Sequence, residues 1–141
     1  RSGRDIAIHN FGTRLPQALE VAHELDATVV DMRWVKPMDT VMVQALAAEQ
    51  SLLVTLEVNA IAGGAGAGVN EHLARAGIRV ATLNLGLPDE FIEPGSHADQ
   101  LAWTGLDAAS IKARLKDFLL TSDPGSYAQR SLQLNPAKTP R

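Results

Sequence analysis

Apolar positions along this chain switch repeatedly between two rhythms. Short continuous runs suit strands, and runs repeating every three to four residues suit one face of a helix. Asp5 to Phe11 reads as a strand that ends at Gly12-Thr13. Leu15, Ala18, Leu19, Ala22 and Leu25 then form a helical stripe. Thr13 is the expected N-cap, and Pro16 is compatible with the first turn because its missing N–H would have no partner there. Ala27 to Val35 is the second expected strand, broken by Lys36-Pro37. Asp39 is placed to cap a helix carrying Met42, Val43, Leu46 and Ala47.

Ser51 to Glu57 contains Leu52, Leu53, Val54 and Leu56, a run that implies a strand covered on both faces. A glycine-rich loop follows, Gly63-Gly64-Ala65-Gly66-Ala67-Gly68, and then a short helix with Val69, His72, Leu73 and Ala76 on one face. Gly77 fits a helix-terminating position. Ile78 to Leu85 is the fourth expected strand. Pro88, Pro94 and Gly95 mark an irregular connection before a short helix over Ser96 to Trp103. The last periodic element is Asp107 to Leu120, with Asp107 as its cap and Ile111, Leu115, Phe118 and Leu119 on one face.

Strands alternating with helices predict an α/β, three-layer domain with a mostly parallel sheet. The expected division is a linker remnant over 1–4, one domain over 5–120 and a polar tail over 121–141. The tail is either disordered or laid over a neighbouring surface. The opening Arg1-Ser2-Gly3-Arg4 lacks an initiator Met, which suggests an excised fragment or ordinary N-terminal processing.

Composition narrows the function classes. A chain of 141 residues fits one domain and can bury roughly two-thirds of its unfolded surface. Its net charge of −3, without a basic stripe, argues against nucleic acid as a partner. The absence of cysteine excludes disulfides, thiolate catalysis and cysteine metal sites, and fits a reducing compartment. No apolar run approaches the roughly 18 residues of a membrane span.

Candidate chemistry gathers after the third strand. The glycine loop follows a strand and opens a helix, where backbone N–H groups and the helix dipole favour an anion. Its Gly64-x-Gly66-x-Gly68 spacing is not that of a dinucleotide fingerprint, Asn84 stands where an acid would close the next strand, and no Lys-Ser/Thr pair follows. The glycines equally suit a tight turn and close helix–sheet packing. Glu57 and Asn59 sit at the C-terminal end of the third strand, the edge where parallel sheets bind ligands. Glu57 there could exchange protons, hold a partner's amide or arginine, or fix the loop by hydrogen bonding. Glu57, Asn59, Gly63, Gly64, Gly66 and Gly68 are therefore the candidate interface or anion-loop residues. His9, His23, His72 and His97 show no metal-ligand spacing. His72 lies on an apolar face and reads as a hydrogen-bonded core or interface residue, and His23 as a solvated one. Ser51, Ser96 and Ser110 fit capping or turn roles, with no nucleophile motif around them. Asp31 and Arg33 could form a pair, either on one face of the second strand or at its exposed end.

Four segments resemble the C-terminal domain of the 1-deoxy-D-xylulose-5-phosphate synthase family. They are Asn10-Phe11-Gly12-Thr13; Thr28 to Asp39, with Asp31-Met32-Arg33-Trp34-Val35-Lys36-Pro37 at its centre; Leu53 to Asn59 with the glycine loop from Gly63 to Glu71; and Leu83 to Glu93, with Gly86-Leu87-Pro88-Asp89-Glu90-Phe91-Ile92 at its centre. The likeness runs from about Asp5 to Leu120. The glycine loop alone would also suit transketolases and 2-oxo acid dehydrogenase β subunits, whereas the second and fourth segments point to the synthase. Val58, Ala67 and Pro94 stand where that family often has an acid, a serine and a polar residue, which weighs against a polar catalytic duty for the loop.

The resemblance implies that the complete enzyme is a thiamine-diphosphate- and Mg²⁺-dependent transferase. It would condense pyruvate with D-glyceraldehyde 3-phosphate, lose CO₂ and feed isoprenoid, thiamine and pyridoxal synthesis. It also implies a cytoplasmic homodimer in which this domain supports the upstream domains of the same polypeptide. No catalytic, cofactor or metal residue carries over to this chain, and no bound cofactor is expected on it alone. A free-standing anion-binding module is the competing reading from another class.

Overall fold

A computed structural model describes residues 1–121. The element order is β1 (Ile6–Phe11), α1 (Leu15–Leu25), β2 (Thr28–Asp31), α2 (Thr40–Glu49), β3 (Leu52–Ala60), α3 (Ala65–Arg75), β4 (Ala81–Leu87), α4 (His97–Thr104) and α5 (Ala108–Thr121). The four strands form one parallel sheet in the order β2-β1-β3-β4. The expected α/β architecture is therefore present. The expected tail lies outside the described residues, apart from Thr121, which completes α5.

The alternation of side chains along β1 and β3 divides the core into two layers. Ile6, Ile8, Leu52, Val54 and Leu56 pack with Ala18, Val21 and Ala22 of α1 and with Ile111 and Leu115 of α5. Ala7, Phe11 and Leu53 point the other way and meet Val43, Leu46 and Ala47 of α2 and Val69 and Leu73 of α3. Because β3 lies between β1 and β4 with helices on both faces, its residues Leu52 to Glu57 are all buried. The continuous apolar run in the sequence records that double covering.

Several ends fall where local chemistry dictates. Asp39 caps α2 by accepting a hydrogen bond from the Met42 N–H at 2.9 Å. Asp107 and Ser96 do the same for α5 and α4, accepting from the N–H groups of Ser110 and Asp99. At the end of α3, Gly77 is left-handed, its N–H donates to the Ala74 carbonyl, and the Ile78 N–H donates to the Leu73 carbonyl. This pairing closes the helix in a Schellman motif. Thr13 does not cap α1. Arg14 occupies that position, without a side-chain cap bond, and Pro16 lies in the first turn as expected.

Strand β2 is shorter than expected. It stops at Asp31 because Arg33 takes a left-handed backbone, φ 56°, which turns Trp34 and Val35 out of the sheet. Met32 still buries its side chain, whereas Trp34 and Val35 are exposed. Conversely, β3 runs past Glu57 to Ala60, where Ala60 pairs with Leu87 after an irregularity in the register. Strand β4 starts and ends later than expected, at Ala81 and Leu87. Residues 1–4 lie along β2: the Val29 N–H donates to the Arg1 carbonyl at 2.9 Å, and the Gly3 N–H donates to Thr28 Oγ1 at 2.9 Å.

Candidate functional site

The chain order β1-α1-β2 moves to one side of the sheet, and β3 then returns to the other side of β1. The switch point lies between the C-terminal ends of β1 and β3, where open parallel sheets form their crevices. The sequence places two polar anchors there. Asn10, buried near the end of β1, donates from Nδ2 to the Gly12 carbonyl at 2.8 Å and fixes the left-handed turn at Gly12. Glu57 is paired in register with Phe11 and is fully buried.

Glu57 is the centre of the site. One carboxylate oxygen accepts from the Ala65 N–H at 2.7 Å and the other from the Gly66 N–H at 2.8 Å. These amides belong to the first turn of α3, whose donors have no partner within the helix. A negative charge is favoured there by the helix dipole as well as by the two hydrogen bonds. The place that an external anion would take is thus filled by the chain's own carboxylate. Of the three roles open to Glu57, loop fixing is the one its contacts perform.

The glycines make this closure possible. A side chain at Gly64 would run into the Glu57 carboxylate and the Ala60 carbonyl, and one at Gly66 would run into Thr55 Oγ1 and the Asn84 amide. A side chain at Gly86, on the neighbouring strand, would press on the Asn59 carbonyl and on the aliphatic part of Glu57. Gly63 supplies a left-handed turn at φ 74°. Gly68 has no such neighbour and stands over open space. The glycine loop is therefore mostly the first turn of α3 pressed down onto β3 and β4. Asn59 lies at the rim, exposed, with its Nδ2 3.4 Å from Glu57 Oε2.

Outside this turn is a cleft of about 450 Å³. Val35, Lys36 and Met38 form one wall, and Asn59 and Gly63 to Ala65 form the other. Its lining contains Lys36 and Glu71 as charged residues. Among the described residues no three His, Cys, Asp or Glu side chains gather into a metal-binding group.

The remaining candidates separate. His23 and His97 are exposed, on α1 and at the start of α4. His72 is half-buried on α3 and receives a hydrogen bond from Gln44 Nε2 of α2 at 3.0 Å, which ties the two helices together. Asp31 and Arg33 form an exposed contact of 3.5 Å at the end of β2. Ser96 and Ser110 serve helix starts, and Ser51 is buried ahead of β3. His9 was not singled out by the sequence, yet it is fully buried in β1 and neither ring nitrogen has a partner in hydrogen-bonding geometry. Burial lowers its pKa from 6.5 to about 4, opposed in part by the Val54 backbone. Because β1 is covered on both faces, every position in it is buried and no polar alternation marks His9 out.

Comparison with known proteins agrees with this geometry. Residues 1–111 match the family model of the transketolase C-terminal domain. The 1-deoxy-D-xylulose-5-phosphate synthase of Klebsiella pneumoniae subsp. pneumoniae is 56% identical over 119 residues, covering 84% of this chain and 19% of that protein. The synthase of Sodalis glossinidius is 51% identical over 119 residues, again covering 84% of this chain and 19% of the relative. The chain thus spans about a fifth of the length of these relatives. Among solved structures, a split-gene transketolase described as an inactive β4 tetramer is similar, with a TM-score of 0.78 and 29% identity. That likeness covers 85% of this chain and 41% of the other. The parallel β2-β1-β3-β4 sheet, the likeness to the split-gene transketolase and the match over residues 1–111 converge on one assignment: the chain belongs to the transketolase C-terminal domain family.

Proposed function

We propose that this chain is the C-terminal domain of a 1-deoxy-D-xylulose-5-phosphate synthase and that it contributes scaffolding rather than chemistry. The observation that carries the reading is 56% identity to such a synthase over 84% of the chain, with the match confined to 19% of the relative's length. The whole enzyme would be a cytoplasmic homodimer that joins pyruvate to D-glyceraldehyde 3-phosphate with loss of CO₂. Thiamine diphosphate would supply the carbanion chemistry there, with Mg²⁺ on its diphosphate.

The described residues do not suit that cofactor. A diphosphate would need free N–H donors at a helix start, and the carboxylate of Glu57 holds those of Ala65 and Gly66. Mg²⁺ is held largely by the diphosphate itself with one or two carboxylates and waters, so it has no seat at a helix start where the diphosphate has none. No step of the reaction is therefore assigned to the described residues. Its expected duty is to brace the upstream domains of the same polypeptide and to support the dimer.

Titration calorimetry tests this directly. The full-length protein should bind thiamine diphosphate in the presence of Mg²⁺, and the 141-residue chain should give no binding heat. Cofactor binding by the chain alone would refute the scaffolding reading. The split-gene transketolase likeness keeps a neighbouring activity in view, and the preference of the full-length enzyme between pyruvate and ketose-phosphate donors separates the two.

A further inference from the structure

The glycine turn and the core leave a surface at the C-terminal edge of the sheet without a role. Trp34 is 68% exposed, Val35 44% and Phe91 101%. All three stand in loops that leave the C-terminal edge of the sheet, Trp34 and Val35 after β2 and Phe91 after β4. The cleft walled by Val35 and Met38 reaches Ala60 at the end of β3. A second cleft, also about 450 Å³, runs from Ala60 past Leu87 to Phe91 and Ile92. Because Ala60 lines both, the two clefts join into one groove across the edge from Val35 to Phe91, with Lys36, Asn59, Glu71, Asp89 and Glu90 among its lining. Gly63 and Gly68, within the first cleft, leave open space where side chains would stand.

Two further features belong to this groove. Arg33 is held in the left-handed region, which a side chain of its size disfavours, and that conformation is what presents Trp34 and Val35 outward. Exposed aromatic residues set around clefts and rimmed by charge are typical of protein–protein surfaces. The charges here are unevenly distributed. Asp89, Glu90 and Glu93 flank Phe91, all exposed, whereas Arg33 and Lys36 flank Trp34 and Val35.

We propose that this edge is the docking surface for the preceding region of the same polypeptide, with Trp34 and Phe91 as its two anchors. The inference rests on the synthase reading above, in which about four-fifths of the polypeptide lies outside this chain. The docking face should present two apolar sockets, with Lys or Arg side chains opposite Asp89, Glu90 and Glu93. A two-fold contact that set the Phe91 end of one copy against the Trp34 end of another would also pair opposite charges, so the concentration dependence of the protection decides between the two occupants.

Hydrogen exchange on the full-length protein tests the proposal. Val35, Lys36 and residues 89–93 should exchange at least ten-fold more slowly than unstructured loop amides, independently of protein concentration. The full-length double variant Trp34→Asp, Phe91→Asp should lose that protection while β3 remains protected, since both side chains are exposed within the domain. Rapid exchange at 89–93 in the unaltered full-length protein would overturn the docking surface. Protection that appears only as concentration rises would assign the edge to a second copy and also overturn it. Failure of the underlying reading looks different: the natural polypeptide would then be no larger than 15.1 kDa.

Discussion

The Glu57 carboxylate lies 2.8 Å from the backbone N–H of Gly66 and, through its other oxygen, 2.7 Å from that of Ala65. A fully buried acid thus caps α3 from an adjacent strand, in place of a side chain at the helix's own N-cap, which is Gly64. Replacing Glu57 with Ala leaves two buried donors unsatisfied and opens a void. The domain should lose roughly 3–5 kcal/mol of stability, measured by urea unfolding. Glu57→Gln should cost about 2 kcal/mol, because one amide meets a donor instead of an acceptor. A loss below about 1 kcal/mol in the Ala variant would show that the cap is not what holds the turn.

Glycines of the same loop should respond in opposite ways. Gly66→Ala drives a methyl group into Thr55 and Asn84, so it should destabilise by roughly 2 kcal/mol or more. Gly68→Ala meets no atom within 4 Å and lies inside α3. It should stabilise by about 0.5–1 kcal/mol through helix propensity. Denaturant midpoints of the two variants, measured side by side, give the comparison. Equal effects of the same sign would mean that close packing against β3 and β4 does not govern the turn.

His9 predicts an acid-sensitive stability. Its folded pKa of about 4 lies below its ordinary 6.5, so the unfolded chain takes up a proton first as the pH falls. The stabilisation from a neutral, buried His9 is complete above 6.5, is lost progressively below that, and is fully lost near 4. The loss over this window is on the order of 3 kcal/mol. Unfolding midpoints at pH 7.5 and pH 4.5 should differ more in the unaltered protein than in His9→Leu, which has no proton to take up. An unchanged difference in the variant would remove His9 as the cause.

Much of the fold was legible because the elements bury opposite faces of periodic stripes. The stripe from Leu15 to Leu25 and the caps at Asp39, Ser96 and Asp107 all mark helices that form. The run from Leu52 to Leu56 announced a central strand. The strand ends were hidden for different reasons. Val35 looked like strand because apolar content cannot reveal that Arg33 turns left-handed. The expected end of the third strand at Glu57 fell short because β3 continues through Asn59, a polar residue exposed at its rim. The start of α3 was hidden by its glycines, which favour turns. Only the position of Glu57 beneath them supplies the missing cap, and that contact joins residues eight and nine apart in sequence.

The size of the natural polypeptide, detected in source cells with an antibody raised against this chain, bears most directly on the central claim. A mass several-fold above 15.1 kDa is predicted, because a scaffolding domain needs the catalytic regions joined to it. A mass near 15.1 kDa would contradict the account and return the chain to a free-standing module.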